Sequence, residues 1–170
     1  MKVTQLLRTT AVAAAAIFAL GTAEAQSPSE QLGLGVTTGS TFGGTVSYAI
    51  TPAIHVGTLF GFSSFSPKVG NTVSTYSFAP YGRFLFAGSP VLKPIIQAQF
   101  DLASVETINP ATFQTETKAQ NTLIISGGGE YFVNRNLGIY AMISVIELGL
   151  SDQGTAFGIL TPQIGVEWFF

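Results

Sequence analysis

The sequence predicts an all-β fold: an eight-stranded antiparallel up-and-down transmembrane β-barrel, preceded by a cleavable signal peptide. Hydrophobic residues make up 46% of the chain and charged residues only 9%, whereas a soluble domain carries roughly 25% charged residues. Even so, polar residues and glycines interrupt every apolar run before it reaches the ~20 residues of a membrane helix. Without helices, a bilayer can be crossed only by a closed barrel, in which the backbone polar groups pair between strands.

The last eleven residues, Leu160–Phe170, show the strand pattern most clearly. Every second residue is apolar, and the intervening positions include Gln163, Gly165 and Glu167. This two-residue period is typical of a β-strand with two different faces. In a membrane barrel the apolar face contacts lipid and the polar face lines the interior. The apolar set is Pro162, Ile164, Val166, Trp168 and Phe170.

Residues 1–25 are predicted to be a secretory signal peptide. The segment begins with two basic residues, continues with the Ala-rich apolar stretch Thr10–Leu20 and ends in the small-x-small sequence Ala23–Ala25. It is too short and too rich in alanine for a stable membrane anchor. We therefore expect cleavage before Gln26 and a barrel domain that comprises residues 26–170.

Eight strands are predicted in the barrel domain, because alternating segments are separated by clusters of Gly, Pro, Asn and Ser. Their approximate ranges are Gln31–Thr38, Gly44–Ile50, Ile54–Phe65, 73–86, Pro94–Thr107, Thr117–Val133, Leu137–Leu150 and 157–170. The connections after the second, fourth and sixth strands are predicted to be tight, and three of the other four to be looser. Outer-membrane barrels have their short turns on the periplasmic side, so both termini are expected there.

The alternation assigns each strand a lipid face and a lumen face. The seventh strand is apolar on both faces at first, and Glu147 assigns its odd positions to the lumen. Tyr131 is placed among the lipid-facing aromatic residues. The predicted lumen residues include His55, Tyr81, Arg83, Leu85, Gln97, Gln99, Asp101, Glu130, Glu147 and Glu167. The predicted aromatic residues of the lipid face are Tyr48, Tyr76, Phe78, Phe84, Phe86, Tyr131, Trp168 and Phe170.

The alternative is a soluble eight-stranded ligand-binding barrel with its apolar residues inside. Five charged residues, which are Arg83, Asp101, Glu130, Glu147 and Glu167, would then form nearly the whole charged surface of the strands. A soluble surface needs about a quarter or more of charged residues. The sequence therefore favours the membrane barrel.

Two repeated patterns carry a resemblance to a known family. A strand, a tight turn and the following strand recur as Ser47–Ile54 and as Glu130–Gly138, and a Pro-x-Gly pattern with following aromatics recurs, in variant form, as Pro80–Phe86 and Pro162–Phe170. Together they resemble the small eight-stranded outer-membrane β-barrel family, the porin-like type that includes OmpX and the membrane domain of OmpA. The resemblance implies a location in the cell outer membrane, in contact with outer-membrane lipid.

The C-terminus resembles the assembly signal of this family. Phe170 ends the chain, and apolar residues, including Trp168, occupy alternate positions before it. The resemblance implies that the barrel-assembly machinery and periplasmic chaperones are partners during biogenesis. Family members serve as membrane anchors, adhesins, resistance factors or narrow channels, so the resemblance alone does not select a role.

The residues predict no catalytic, metal or cofactor site. The chain has no cysteine and one histidine, and its acidic residues are scattered over different strands. Its net charge of −2 argues against nucleic acid as a partner. We expect a structural or interaction role and a lumen plugged by side chains, with a narrow channel for small solutes or ions as the alternative. A lipid-A-modifying enzyme is a further alternative, but His55 is expected at the periplasmic end, away from the outer rim where such a site would lie.

A charged cluster is predicted inside the barrel near its periplasmic end: Arg83, Glu130, Glu167 and His55. The arginine and each glutamate lie three residues before the end of strands four, six and eight, which all run towards the periplasm. A buried carboxylate is costly unless it is paired and hydrogen-bonded. We therefore expect Arg83 to bridge at least one glutamate, with Gln97 and Gln163 as hydrogen-bond partners.

Overall fold

The computed structural model describes residues 27–39, 42–67, 71–108, 112, 114–151, 154–158 and 161–170. The predicted signal peptide, residues 1–25, lies outside the described residues. Within the described part of the chain, no helix is long and apolar enough to cross a membrane.

Strands make up most of the described residues, and their bounds lie close to the predicted ones. The segments are β1 Gln31–Thr38, β2 Phe42–Thr51, β3 Ile54–Phe65, β4 Thr72–Leu85, β5 Leu92–Ile108, β6 Thr115–Asn134, β7 Leu137–Ser151, β8 Gly154–Gly158 and β9 Pro162–Phe169. Segments β8 and β9 both pair with β7 and together form the eighth wall of the barrel. The prediction of eight antiparallel strands is therefore confirmed.

The strands close into a ring. From β1 to β8 each segment pairs antiparallel with the next, and β9 pairs with β7 and with β1. At the end of this seam, the Phe170 amide donates to the Leu32 carbonyl at 2.9 Å, and the Leu32 amide donates to Phe170 at 3.2 Å. Closure pairs the first strand with the last, which satisfies backbone groups that would otherwise be exposed to lipid.

In contrast to a soluble protein, the strands expose apolar side chains on the outer surface and bury polar side chains inside. On β9, Trp168 is 52% exposed on the outer face, whereas Glu167 is fully buried in the lumen. The same alternation runs the length of β2. Large aromatic residues exposed on the outer face include Phe42, Tyr48, Phe60, Phe62, Tyr76, Phe78, Phe84, Phe86, Phe100, Trp168 and Phe170.

Aromatic pairs lie at both ends of this outer surface. The rings of Phe62 and Tyr76 are 5.1 Å apart towards one end, and those of Phe84 and Phe86 are 4.9 Å apart at the other. Along β4, the stretch from Tyr76 to Phe86 spans about 33 Å, which is about 25 Å along the axis for a strand tilted by about 40°. This is the height of the apolar band of an outer-membrane barrel.

The prediction that the odd-numbered residues of β7 face the lumen is wrong over the first half of the strand. There the lumen set is even-numbered rather than odd-numbered: Gly138, Tyr140, Met142 and Ser144. Ser126 pairs with Ser144, but the next pair is Ile125 with Ile146, so Val145 is an additional residue that forms a β-bulge. One extra residue exchanges the two faces. Beyond the bulge, Glu147 lines the lumen as predicted.

Two further expectations need correction at the end of the barrel that carries the two-residue β2–β3 and β6–β7 turns, which we call the short-turn end. The connection after β4 has six residues, 86–91, and is no tighter than those after β3 and β5. The Phe132 amide donates to the Val91 carbonyl at 2.7 Å, which brings this connection against the end of β6. Tyr131, predicted to face lipid, lies at this end and is only 7% exposed. The hydrogen bond from the neighbouring Phe132 places the longer connection beside this tyrosine.

Candidate functional site in the barrel lumen

Arg83 is the centre of a buried network that crosses the lumen. Strand β4 directs its side chain inward, and the residue is 2% exposed. Its Nη1 atom lies 3.1 Å from Glu130 Oε2 and 2.5 Å from Glu167 Oε2. The structure thus brings together three of the four residues predicted for the cluster, from β4, β6 and β9, through direct ion pairs.

Neutral side chains complete the coordination of these charges. Arg83 Nε donates to Gln97 Oε1 at 3.0 Å, and Gln97 Nε2 in turn donates to Gln99 Oε1 at 3.1 Å. The Tyr81 hydroxyl donates to Glu167 Oε1 at 3.0 Å, so both oxygens of that carboxylate are bonded. We refer to the group Tyr81, Arg83, Gln97, Glu130 and Glu167 as the lumen network.

Gln163, which was expected to join the lumen network, makes a different contact. Its Nε2 donates to Thr37 Oγ1 on the neighbouring strand β1 at 3.1 Å. Gln163 is in register with Met142, four pairs beyond the Gly138–Glu167 pair of β7 and β9. It therefore lies about 13 Å farther along the strand than Glu167, where β1 offers the nearer partner.

Tyr140 is a member of the site that the sequence did not indicate. The Arg83 guanidinium carbon lies 4.2 Å from the centroid of the Tyr140 ring and 5.3 Å from that of Tyr81. Both distances are within the range of cation–π contacts, which are stronger when the pair is removed from water. The bulge at Val145 places Tyr140 inside, and this change of face could not be predicted from a segment that is apolar on both sides.

Inward-facing glycines make room for the large lumen side chains. Gly165 is paired across the strands with Tyr140, whose ring and hydroxyl occupy the space that a Cβ at Gly165 would fill. A Cβ at Gly138 would lie 2.6 Å from Glu130 Oε1, and one at Gly57 would lie 2.7 Å from the Tyr81 hydroxyl. Glycine therefore occupies these positions because neighbouring atoms approach too closely for a Cβ atom. Small residues opposite large inward ones are a sequence signal that could have located part of this packing.

His55, the fourth predicted residue, is at the same level but outside the hydrogen-bonded network. It is in register with Arg83 and fully buried. Its ring centroid lies 5.4 Å from that of Phe169, with the planes inclined by 59°. The Pro28 backbone lies beside the ring, but neither ring nitrogen makes a hydrogen bond of normal geometry to a described residue. The arrangement packs the imidazole without orienting it for proton transfer.

Side chains fill the lumen at the level of the lumen network, and the lumen is more open towards the end of the barrel opposite the short turns. The fully buried large side chains are Arg83, Tyr140, Phe132, Phe169, His55, Glu130 and Glu167. Beyond Gln99 lies a cavity of about 40 Å³ lined in part by Asp101 and Glu147, which is room for a few water molecules at most. The described residues contain no cluster of three or more side chains suited to a metal ion.

The residues predicted as the assembly signal lie on the outer surface at the seam. Phe170 and Trp168 both face outward. Trp168 is in register with Leu34 of β1 and Leu137 of β7. The Asn136 side chain donates to the Phe169 carbonyl at 2.6 Å, which fixes the end of the chain against the β6–β7 turn.

Comparisons with solved structures show the fold. The chain matches the N-terminal β-barrel domain of Pseudomonas aeruginosa OprF with a TM-score of 0.55 at 16% identity, over 84% of this chain and 98% of that one. Neisserial surface protein A matches with a TM-score of 0.52 at 14% identity, over 82% and 94%. The attachment invasion locus protein Ail of Yersinia pestis matches with a TM-score of 0.51 at 12% identity, over 82% and 94%. No protein-family model and no curated protein matches the chain.

The chain has the fold of a small outer-membrane β-barrel. The three matched barrels cover most of the chain, and their agreement includes the eight antiparallel strands. Together with the apolar outer band, this fold locates the protein in the cell outer membrane, as the sequence predicted. At identities of 16% and below, the likeness is one of fold alone.

Proposed function

We propose that the protein is an integral outer-membrane barrel with a structural or interaction role, whose lumen is sealed by its own side chains. The observation that carries the proposal is the lumen network, in which Arg83 joins two fully buried glutamates. Barrels of this size have an interior just wide enough for side chains to fill. A sealed barrel can anchor loops or contact partners at the cell surface without weakening the permeability barrier.

The positions of the charged residues support closure across the whole lumen. Arg83, Glu130 and Glu167 lie on the fourth, sixth and eighth walls of the ring, so their ion pairs cross the interior rather than follow one wall. Tyr140 packs on the guanidinium from the seventh wall. Opening a path for ions at this level would require the separation of buried opposite charges, which is costly in a low-dielectric interior.

Planar-bilayer recording tests this proposal against the narrow-channel alternative. We expect the wild-type protein, inserted from detergent into a planar bilayer, to give no stable stepwise current, because the lumen network blocks the pore. A large porin in the same bilayers serves as the control for insertion and detection. Stable, sizeable openings of the wild-type barrel would contradict the sealed lumen.

The lipid-A-modifying alternative is disfavoured by the surroundings of His55. A histidine-based catalyst needs an oriented imidazole beside a nucleophile or a carboxylate. The single histidine of the chain is instead packed against Phe169 at the short-turn end. Incubation of the purified protein with lipopolysaccharide should yield no deacylated or acyl-transferred product. A product that His55→Ala abolishes would establish the enzyme.

We further propose that the barrel-assembly machinery and periplasmic chaperones act on this chain through its C-terminal strand. Phe170→Asp should lower the outer-membrane yield and leave periplasmic aggregates, because it removes the exposed aromatic end of the strand that closes the ring. Phe86→Asp is the matched control, since Phe86 is an exposed phenylalanine at the end of β4. Equal yields of the two variants, measured by membrane fractionation, would contradict an assembly role of the C-terminus.

A further inference from the structure

The described residues before β1 are partly buried against the short-turn end of the barrel. We call this segment, Ser27–Glu30, the strap. Ser27 is only 9% exposed and Pro28 is also buried, although neither belongs to a strand. The next residue, Ser29, is exposed. A buried polar residue so close to the predicted start of the mature chain indicates that the strap packs into the barrel rather than extending from it.

A turn at Glu30 directs the strap back towards the lumen. Glu30 has a φ of 55°, the left-handed region that residues other than glycine rarely adopt. Its amide donates to the Ala49 carbonyl at 2.6 Å, which ties the turn to the end of β2. A backbone in this conformation persists only where the surrounding structure holds it. Here the hydrogen bond to β2 and the burial of Pro28 hold it.

His55 is the lumen residue that the strap covers. It is the second residue of β3, so it lies beside the short-turn mouth, and it is nevertheless fully buried. The Phe169 ring packs against one side of the imidazole, and the Pro28 backbone lies beside it as well. Both ring nitrogens are buried. Pro28 is the strap residue that lies beside the ring.

We propose that the strap is a lid that closes the short-turn mouth of the lumen and shields His55, and that it opens without unfolding of the barrel. The inference rests on the proposed sealed lumen and adds a second closure below the lumen network. The strap joins the barrel through the Glu30–Ala49 hydrogen bond and the packing of Pro28. Segments with few contacts and a strained backbone open at much lower free energy than the strands that carry them.

Carbethoxylation of the single histidine tests the lid. Diethyl pyrocarbonate is added to the folded protein in detergent micelles, and modification of the His55 peptide is followed by mass spectrometry. Pro28→Asp should raise the rate about tenfold or more, because a carboxylate cannot remain buried at this position without a partner and the lid is displaced. Ser29→Asp adds the same charge to the neighbouring exposed residue and should leave the wild-type rate unchanged. The heat-dependent gel shift of each variant shows that its barrel is folded.

The outcomes separate this inference from the proposed function. Equal His55 rates in the Pro28→Asp and Ser29→Asp variants, both folded, overturn the lid. If Pro28→Asp does not fold, Pro28→Gly is used instead, because it loosens the strap without adding a charge. A His55 modification rate no higher than that of Ser29→Asp then overturns the lid. Stable current through the wild-type protein in planar bilayers contradicts the sealed lumen. If the His55 modification rates of the two variants are equal and the wild-type protein gives no stable current, only the lid is contradicted.

Discussion

Replacement of Arg83 with alanine is expected to lower the free energy of unfolding by about 3 to 5 kcal/mol, because two carboxylates are then left buried without their cation. Both Glu130 and Glu167 are fully buried, and each forms an ion pair with Arg83. Urea titration of the refolded protein in micelles, followed by the gel shift of the folded barrel, measures the change. Any added conductance of the variant would appear in the same planar-bilayer assay.

The chain offers a matched control for this prediction. Lys118 and Glu116 form an ion pair at 3.1 Å, but their side chains are 58% and 66% exposed. Exposed pairs contribute at most about 1 kcal/mol, so Lys118→Ala should leave the unfolding midpoint almost unchanged. Adding Glu130→Gln to Arg83→Ala should recover part of the loss, since one buried charge is removed. If Arg83→Ala costs no more than Lys118→Ala, the lumen network does not stabilise the barrel.

Substitution of Gly165 with alanine is the second change with a large expected effect. The new methyl group would collide with the Tyr140 ring, which is held in turn against Arg83. Forcing additional atoms into a filled interior costs about 1 to 3 kcal/mol. The urea midpoint of Gly165→Ala should fall accordingly, and the Tyr140–Arg83 contact should loosen.

Gly82 supplies the comparison for that substitution. It also lies within a strand of the barrel wall, but no heavy atom lies within 4 Å of the position that its Cβ would take. It faces outward, so Gly82→Ala adds a methyl group to the lipid-facing surface and should be neutral or slightly stabilising, because glycine weakens a strand interior. Equal losses from the two alanine substitutions would show that lumen packing is not the reason for the glycine at position 165.

Sequence alone predicted the architecture because period-two alternation is a local property of the chain. Glu167 and Trp168, adjacent in sequence, could be assigned to opposite faces without knowledge of any other strand. The convergence of Arg83 and Glu130 was also predictable, because equal distances from the ends of strands that run in the same direction imply similar depth. Strand count, facing and charge position therefore follow from short segments and simple geometry.

The remaining features of the site depend on relations between strands. Tyr140 enters the lumen because Val145 bulges, and the residues Leu137–Ile143 around it carry no charged or amide side chain that would set the phase. Gln163 bonds to Thr37 rather than to the lumen network because of its position along β9 relative to β1. Phe169 belongs to the polar set of its strand by position, and only the structure shows it packed on His55. Register and bulges are set by pairing, which composition does not reveal.

The fluorescence of the single tryptophan tests the central claim, that the apolar face of the strands contacts lipid while the charged network fills the lumen. Trp168 is exposed on the outer face, next to the buried Glu167, so no substitution is needed to place the probe. The protein is reconstituted in vesicles whose lipids carry bromine on their acyl chains, and quenching is compared with that by aqueous iodide. We expect strong quenching by the brominated lipids and little by iodide. Strong quenching by iodide with none by the brominated lipids would show that Trp168 faces water and would contradict the membrane barrel.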